Sequence, residues 1–123
     1  DHAPHPAESK ECEWQYAAFG MLGLETALPI LWQTMIESKM MDIATLQVRM
    51  STAPAQIGRY HSQGQALTKG APANLTLFAP NKSWKVDRDL VASKSKNTPF
   101  HGMEFGGSVV ATFFEGRESW RAR

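Results

Sequence analysis

Residues 19–35 read Phe-Gly-Met-Leu-Gly-Leu-Glu-Thr-Ala-Leu-Pro-Ile-Leu-Trp-Gln-Thr-Met. Two glycines punctuate the start, and a helical pattern follows them. Leu24, Ala27, Leu28, Leu31 and Met35 fall on one face at a spacing of 3.6, which predicts an amphipathic helix over residues 25–37 with that stripe buried. Pro29 lacks a backbone donor and is best tolerated in a first turn, so the pattern places the helix start near Thr26, with Glu25 at its positive end.

Working outward, Asp42 is an N-cap for a second helix through Met50, whose Ile43, Leu46 and Met50 share a face. Thr52 or Ala53 before Pro54 opens a short third helix that ends at Gly58. Upstream, Pro4 and Pro6 make residues 1–13 a loop, and residues 14–22 read as a short helical turn followed by a bend. Downstream the character changes. Gly64, Gly70 and Pro72 mark turns, residues 74–79 form a strand stopped by Pro80, and Trp84 and Val86 alternate with lysines as a half-buried strand. Residues 93–102 are polar and turn-rich. The β-branched and aromatic run 109–114 is a further strand, and Gly116 turns it toward a last strand or tail. The result is an α/β chain, helical first and β second, with its boundary near residues 60–73. So few short strands make a weak independent sheet.

A length of 123 residues, 42% hydrophobic residues and a net charge of +1 fit one small soluble domain or a piece of a larger one. No apolar run is long enough to cross a bilayer and no secretory leader opens the chain, so the expectation is cytoplasmic, with no membrane partner. The lone Cys12 excludes a disulfide framework and a multi-cysteine metal cluster. Lys82, Lys85, Arg88, Lys94 and Lys96, broken by Asp87 and Asp89, read as a solvated face, with no nucleic-acid partner. The chain opens directly on Asp1-His2-Ala3-Pro4-His5, a polar cluster with no preceding element to hold it, so the expectation is that further structure lies upstream or on another polypeptide.

Asp1, His2 and His5, with Glu8 and Cys12 nearby, are the residues richest in metal and proton chemistry. A carboxylate beside two imidazoles on a proline-stiffened loop can ligate zinc, move a proton or bind an anion; equally, it can be a polar surface turn.

Asp1-His2-Ala3-Pro4-His5, then residues 19–29, then the run from Gly64 through Gly70 to Pro80, then Ser95-Lys96-Asn97-Thr98-Pro99-Phe100 and Gly102, resemble in order the C-terminal portion of class I dihydroorotases of the amidohydrolase superfamily. The resemblance covers nearly the whole chain. It implies that residues 1–60 are the end of a metal-dependent hydrolase (β/α)8 barrel, from the close of its eighth strand through the final helices. Residues 61–123 would be the C-terminal part of a small composite β-sandwich. It also implies reversible zinc-dependent cyclisation of N-carbamoyl-L-aspartate to dihydroorotate in pyrimidine synthesis.

On this resemblance, Asp1 is the catalytic aspartate. It contacts the site of one or two zinc ions and passes the proton of the attacking water to the amide nitrogen. His5 holds the substrate carboxylate, helped by the backbone around Leu22 and Gly23, where glycine permits close approach. Many relatives carry proline where this chain has Leu22. His2 is read as structural, since adjacent side chains in an extended segment point oppositely. Glu25 is read as holding loop geometry, and Cys12 as an inert thiol.

The zinc histidines and carbamylated lysine of such enzymes have no counterpart in these residues, so the chain alone is expected to be inactive. The partners implied are the N-terminal portion of the enzyme, a small-molecule substrate, and a second copy or aspartate carbamoyltransferase. Two other readings stay open: a hydantoinase- or allantoinase-like cyclic amidohydrolase, and a non-catalytic structural partner of aspartate carbamoyltransferase.

Overall fold

Gly23 precedes the first helix and leaves the helical φ/ψ region, so the chain turns in two residues ahead of the start expected near Thr26. The computed structural model describes residues 2–122, and in it α1 spans Leu24–Leu31 and runs on as a wider π-helical stretch, Trp32–Glu37. Pro29 is therefore the sixth residue of the helix, where sequence alone placed it in the first turn. It is buried against neighbouring elements. That burial offsets the missing donor, and the helix loosens to the π form just beyond it. Lys39, in the left-handed region at φ 61°, stands beyond the helix end.

Asp42 caps α2 (Ile43–Gln47) as expected, its carboxylate accepting from the Thr45 amide at 2.7 Å. The two later helices predicted from sequence are one continuous run. A π-helical stretch, Val48–Thr52, joins α2 directly to α3 (Ala53–Ile57), which stops at Gly58. Thr52 does not open a helix. It is itself helical, and its hydroxyl binds the Gly64 carbonyl at 3.1 Å.

In the β half, β1 (Leu75–Ala79), β2 (Trp84–Lys85), β3 (Glu104–Phe105), β4 (Ser108–Phe114) and β5 (Arg117–Arg121) form two sheets. The larger is antiparallel in the order β1-β4-β5, with Leu75 opposite Phe113 and Ala79 opposite Ser108, and a register slip between Leu77 and Phe78. Glu115 and Gly116, both at positive φ, make the two-residue turn into β5, as a primed hairpin turn requires. The β2–β3 pair extends through Val86, whose amide donates to Met103 and whose carbonyl accepts from Gly102. Val86 and Phe105 are buried, and Phe100 meets Phe105 edge-on at 5.9 Å.

The helical half packs on the β half. Trp32 lies against Phe78 with ring centroids 5.0 Å apart, and Glu25 accepts from the Ala92 amide at 2.9 Å. Ala111 on β4 is fully buried at this seam. The whole is a small mixed unit of helices and a partial sheet. The described residues form no closed barrel, and residues 2–6 carry no strand pairing.

Candidate functional site

The segment 2–5 is held in place by hydrogen bonds from two directions. Along its own half, the Ala3 amide donates to the Met21 carbonyl at 2.8 Å, and the Gly23 amide donates to His2 Nδ1 at 3.2 Å. From the β half, Asn97 Nδ2 donates to the Ala3 carbonyl at 2.8 Å, while Asn97 Oδ1 accepts from the His5 amide at 3.2 Å. The Asn97 carbonyl accepts from the Leu22 amide at 3.2 Å. Three stretches distant in sequence, 2–5, 19–23 and 97, thus meet.

Lys10 fixes the outer turn of this arrangement, its ammonium reaching the carbonyls of Ala18 at 2.7 Å and Gly20 at 3.0 Å. Gly20 sits at φ 99°, a conformation that a side chain would strain, so glycine is what lets the chain bend back toward residue 5. His5 is half-buried, and its Nε2 lies 2.7 Å from the Phe19 carbonyl. A carbonyl oxygen only accepts, so Nε2 carries the proton there, and Nδ1 donates only when the ring is an imidazolium.

Of the residues singled out in the sequence, His5, Leu22 and Gly23 therefore come together. The Leu22 and Gly23 amides are both engaged within the chain, by Asn97 and His2. A ligand carboxylate using either amide would displace one of these partners. Asp1 lies outside the described residues. His2, read from sequence as structural, has a ring nitrogen that accepts from the Gly23 amide. Glu25 holds the loop at Ala92, and Cys12 is exposed with a weak contact to the Ser9 carbonyl. Asn97 lies in the stretch 95–100 that carries part of the resemblance, and no spacing in the sequence marks it individually.

Beside His2 and Leu22 opens a narrow cleft of about 10 Å³, also walled by Leu24, Glu25, Thr26 and Thr98. It has room for about one water molecule. The Thr26 hydroxyl is buried with no hydrogen-bond partner among the described residues. A larger hollow of about 310 Å³, lined by Gln65, Leu67, Thr68, Pro72 and Asn74 among others, has no residue in common with that cleft. It contains no titratable side chain, and of the candidate contacts Leu22 lines the smaller cleft while His5 and Gly23 do not.

Among the described residues, no group of three or more His, Cys, Asp or Glu side chains could hold a metal ion. Catalytic zinc takes about three protein ligands, so the described residues do not by themselves fit one. His101, whose Nδ1 accepts from the Arg88 amide and lies 3.9 Å from Asp87, belongs to the β2–β3 region and joins no such group. No helix among the described residues is long and apolar enough to cross a membrane.

No family model matches the chain. Individual proteins do. Over 117 residues it is 46% identical to a dihydroorotase of Streptomyces coelicolor, a match covering 95% of this chain and 27% of that protein. It is 41% identical over 121 residues to a dihydroorotase of Mycobacterium tuberculosis, covering 98% of this chain and 28% of that one. Among solved structures, an L-hydantoinase (dihydropyrimidinase) from Arthrobacter aurescens superposes with a TM-score of 0.87 at 33% identity, over 98% of this chain and 28% of that one. The chain is homologous to one part of the dihydroorotase- and hydantoinase-like amidohydrolases. It spans about a quarter of the length of these relatives. A D-hydantoinase from Bacillus sp. AR9, at 22% identity and a TM-score of 0.84, has the same fold over the matched part. The amidohydrolase-like fold thus extends through the helical half and the β half together.

Proposed function

We propose that these residues are the C-terminal portion of a dihydroorotase, which interconverts N-carbamoyl-L-aspartate and dihydroorotate in pyrimidine synthesis and is inactive when reduced to this chain alone. The observation that carries the reading is the 46% identity to a dihydroorotase over 95% of the chain. In this reading residues 1–60 close a (β/α)8 barrel and residues 61–123 complete a small β-sandwich. Zinc dependence belongs to the same reading, with Asp1 as one contact and the other ligands supplied from outside these 123 residues.

The roles proposed for the chain's own residues are those that the resemblance implies. The Asp1 carboxylate carries the proton released by the attacking water to the ring nitrogen as the amide bond opens. In the reverse direction it takes that proton from the attacking carbamoyl nitrogen. His5 pairs with the substrate carboxylate, and the backbone at Leu22 and Gly23 fits close to it. The partners proposed are the rest of the enzyme, a second copy, and aspartate carbamoyltransferase.

A second reading, a hydantoinase-like cyclic amidohydrolase, draws on the superposition with the L-hydantoinase at 33% identity. Steady-state hydrolysis by the longer polypeptide that carries this chain separates the two, with dihydroorotate compared against dihydrouracil, its analogue without the carboxylate. A dihydroorotase favours dihydroorotate in kcat/KM by on the order of 10³ or more, because a site built around a charged group is left unpaired by the analogue. Equal rates, or a preference for dihydrouracil or hydantoins, would move the chain to the second reading.

A further inference from the structure

Asn97 bridges the two stretches that carry the candidate site. Its side-chain amide spends its donor on the Ala3 carbonyl at 2.8 Å and its acceptor on the His5 amide at 3.2 Å, across 94 and 92 residues of sequence. Its backbone carbonyl takes the Leu22 amide at 3.2 Å. One half-buried residue thus bonds to both stretches that present the candidate substrate contacts.

Asn97 is itself firmly mounted. On one side, the Lys96 ammonium lies 3.3–3.4 Å from the carbonyls of Asp89, Val91 and Ser93, gathering the preceding loop around it. The Thr98 amide closes back on the Lys96 carbonyl at 2.9 Å. On the other side, Phe100 stacks edge-on against buried Phe105, and Val86 pairs with Met103. The position of Asn97 is therefore set by the β2–β3 region. A carboxamide suits the task because it offers a donor and an acceptor together to a carbonyl and an amide two residues apart on one extended segment.

We propose that Asn97 is a positioning residue that fixes His5 in the geometry that receives the substrate carboxylate, while its own carbonyl holds the Leu22 amide within the chain. This rests on the dihydroorotase reading for the identity of the ligand, while the clamp itself rests on the hydrogen bonds alone. Asn97 acts through His5 and touches no reacting atom. Its loss therefore loosens carboxylate binding more than it slows the proton transfer assigned to Asp1.

The test uses the longer polypeptide carrying this chain, with dihydroorotate as the probe. Asn97→Ala raises KM about tenfold with kcat within about twofold, the pattern of lost ground-state binding. In a His5→Ala background the same substitution adds no further rise, because the residue through which it acts is gone. Asn97→Asp keeps the acceptor for the His5 amide and removes the donor to Ala3, and gives a smaller rise than Asn97→Ala. It also serves if the alanine variant does not fold. Hydrogen exchange, followed residue by residue, is the second readout: the His5 amide exchanges faster in Asn97→Ala. An unchanged KM in Asn97→Ala, or effects of Asn97→Ala and His5→Ala that multiply independently, overturns the positioning role. If the unsubstituted protein does not turn over dihydroorotate, the dihydroorotase reading fails. Exchange at the His5 amide then decides the clamp: faster in Asn97→Ala upholds it, unchanged refutes it.

Discussion

His5 is tied through its backbone amide to Asn97 and through its ring to the Phe19 carbonyl, so its imidazole is held at both ends of the residue. Replacing it with alanine in the longer polypeptide is expected to raise KM for dihydroorotate about tenfold or more, since a charge-assisted hydrogen bond is lost. Turnover of dihydrouracil, which lacks the carboxylate, should change little, and parallel kinetics on the two substrates would check this. A different single residue sets a pH dependence. The Thr45 amide beside Asp42 holds its carboxyl below the ordinary value of 3.8. A depressed folded pKa gives stability that is present above the ordinary value and is lost as pH falls through the lower, folded one. Asp42→Asn keeps a capping oxygen without the titration. It should match the unsubstituted protein near neutral pH and show less acid-induced loss of helicity, as followed by circular dichroism. At this scale the sequence disclosed two local devices, the Asp42 cap and the loop-holding role of Glu25. It did not single out Asn97, because the partners that define it are more than ninety residues away and leave no periodic trace.

Among elements, the seam between α1 and the larger sheet depends on a backbone position with no side chain. Gly107, between β3 and β4, has φ 78°, and a Cβ there would come 2.3 Å from the Phe78 ring. That ring is the one Trp32 of the first helix rests on, so the close approach of β4 to Phe78 also places the helix. Gly107→Ala is expected to destabilise the fold by on the order of 2–4 kcal/mol, combining left-handed strain with overpacking. Denaturant unfolding of the longer polypeptide would measure it, and a cost within error of zero would mean that the seam is soft. The strands at 75–79 and 108–114 were legible because β-branched and aromatic residues cluster there between glycine and proline. The helix boundaries were less so. Pro29 suggested a start near Thr26, yet its burial lets it stand mid-helix. Ala53 adopts helical φ/ψ despite the proline after it, so two predicted helices became one.

At the scale of the whole molecule, the apolar surface left in view is large. Trp14 and Phe19 are each 95% exposed, and Leu24, Ile43, Ile57 and Leu90 also lie open. Surface of this kind on a small chain marks an interface. On the function proposed above, the remainder of the enzyme is what covers it. The order of the blocks along the sequence disclosed this kinship. What covers the exposed side chains could not be read from these residues, since a burial pattern records that a face is covered and not by what. The 123-residue chain prepared alone is therefore expected to self-associate and to bind hydrophobic dye. It should also leave dihydroorotate unchanged above background, because the described residues bring together no group able to hold a metal ion. Native mass spectrometry and a turnover assay on that material check these expectations together. Co-produced with a polypeptide about three times as large that supplies the rest of such a relative, the chain is expected to bind it together with the mass of one or two metal ions, which would identify the missing cover and the source of the zinc ligands. A monomeric, metal-free mass near 13.7 kDa would show that the apolar faces do not need covering. Measurable turnover by the pure chain would overturn the assignment of the catalytic centre to residues outside it.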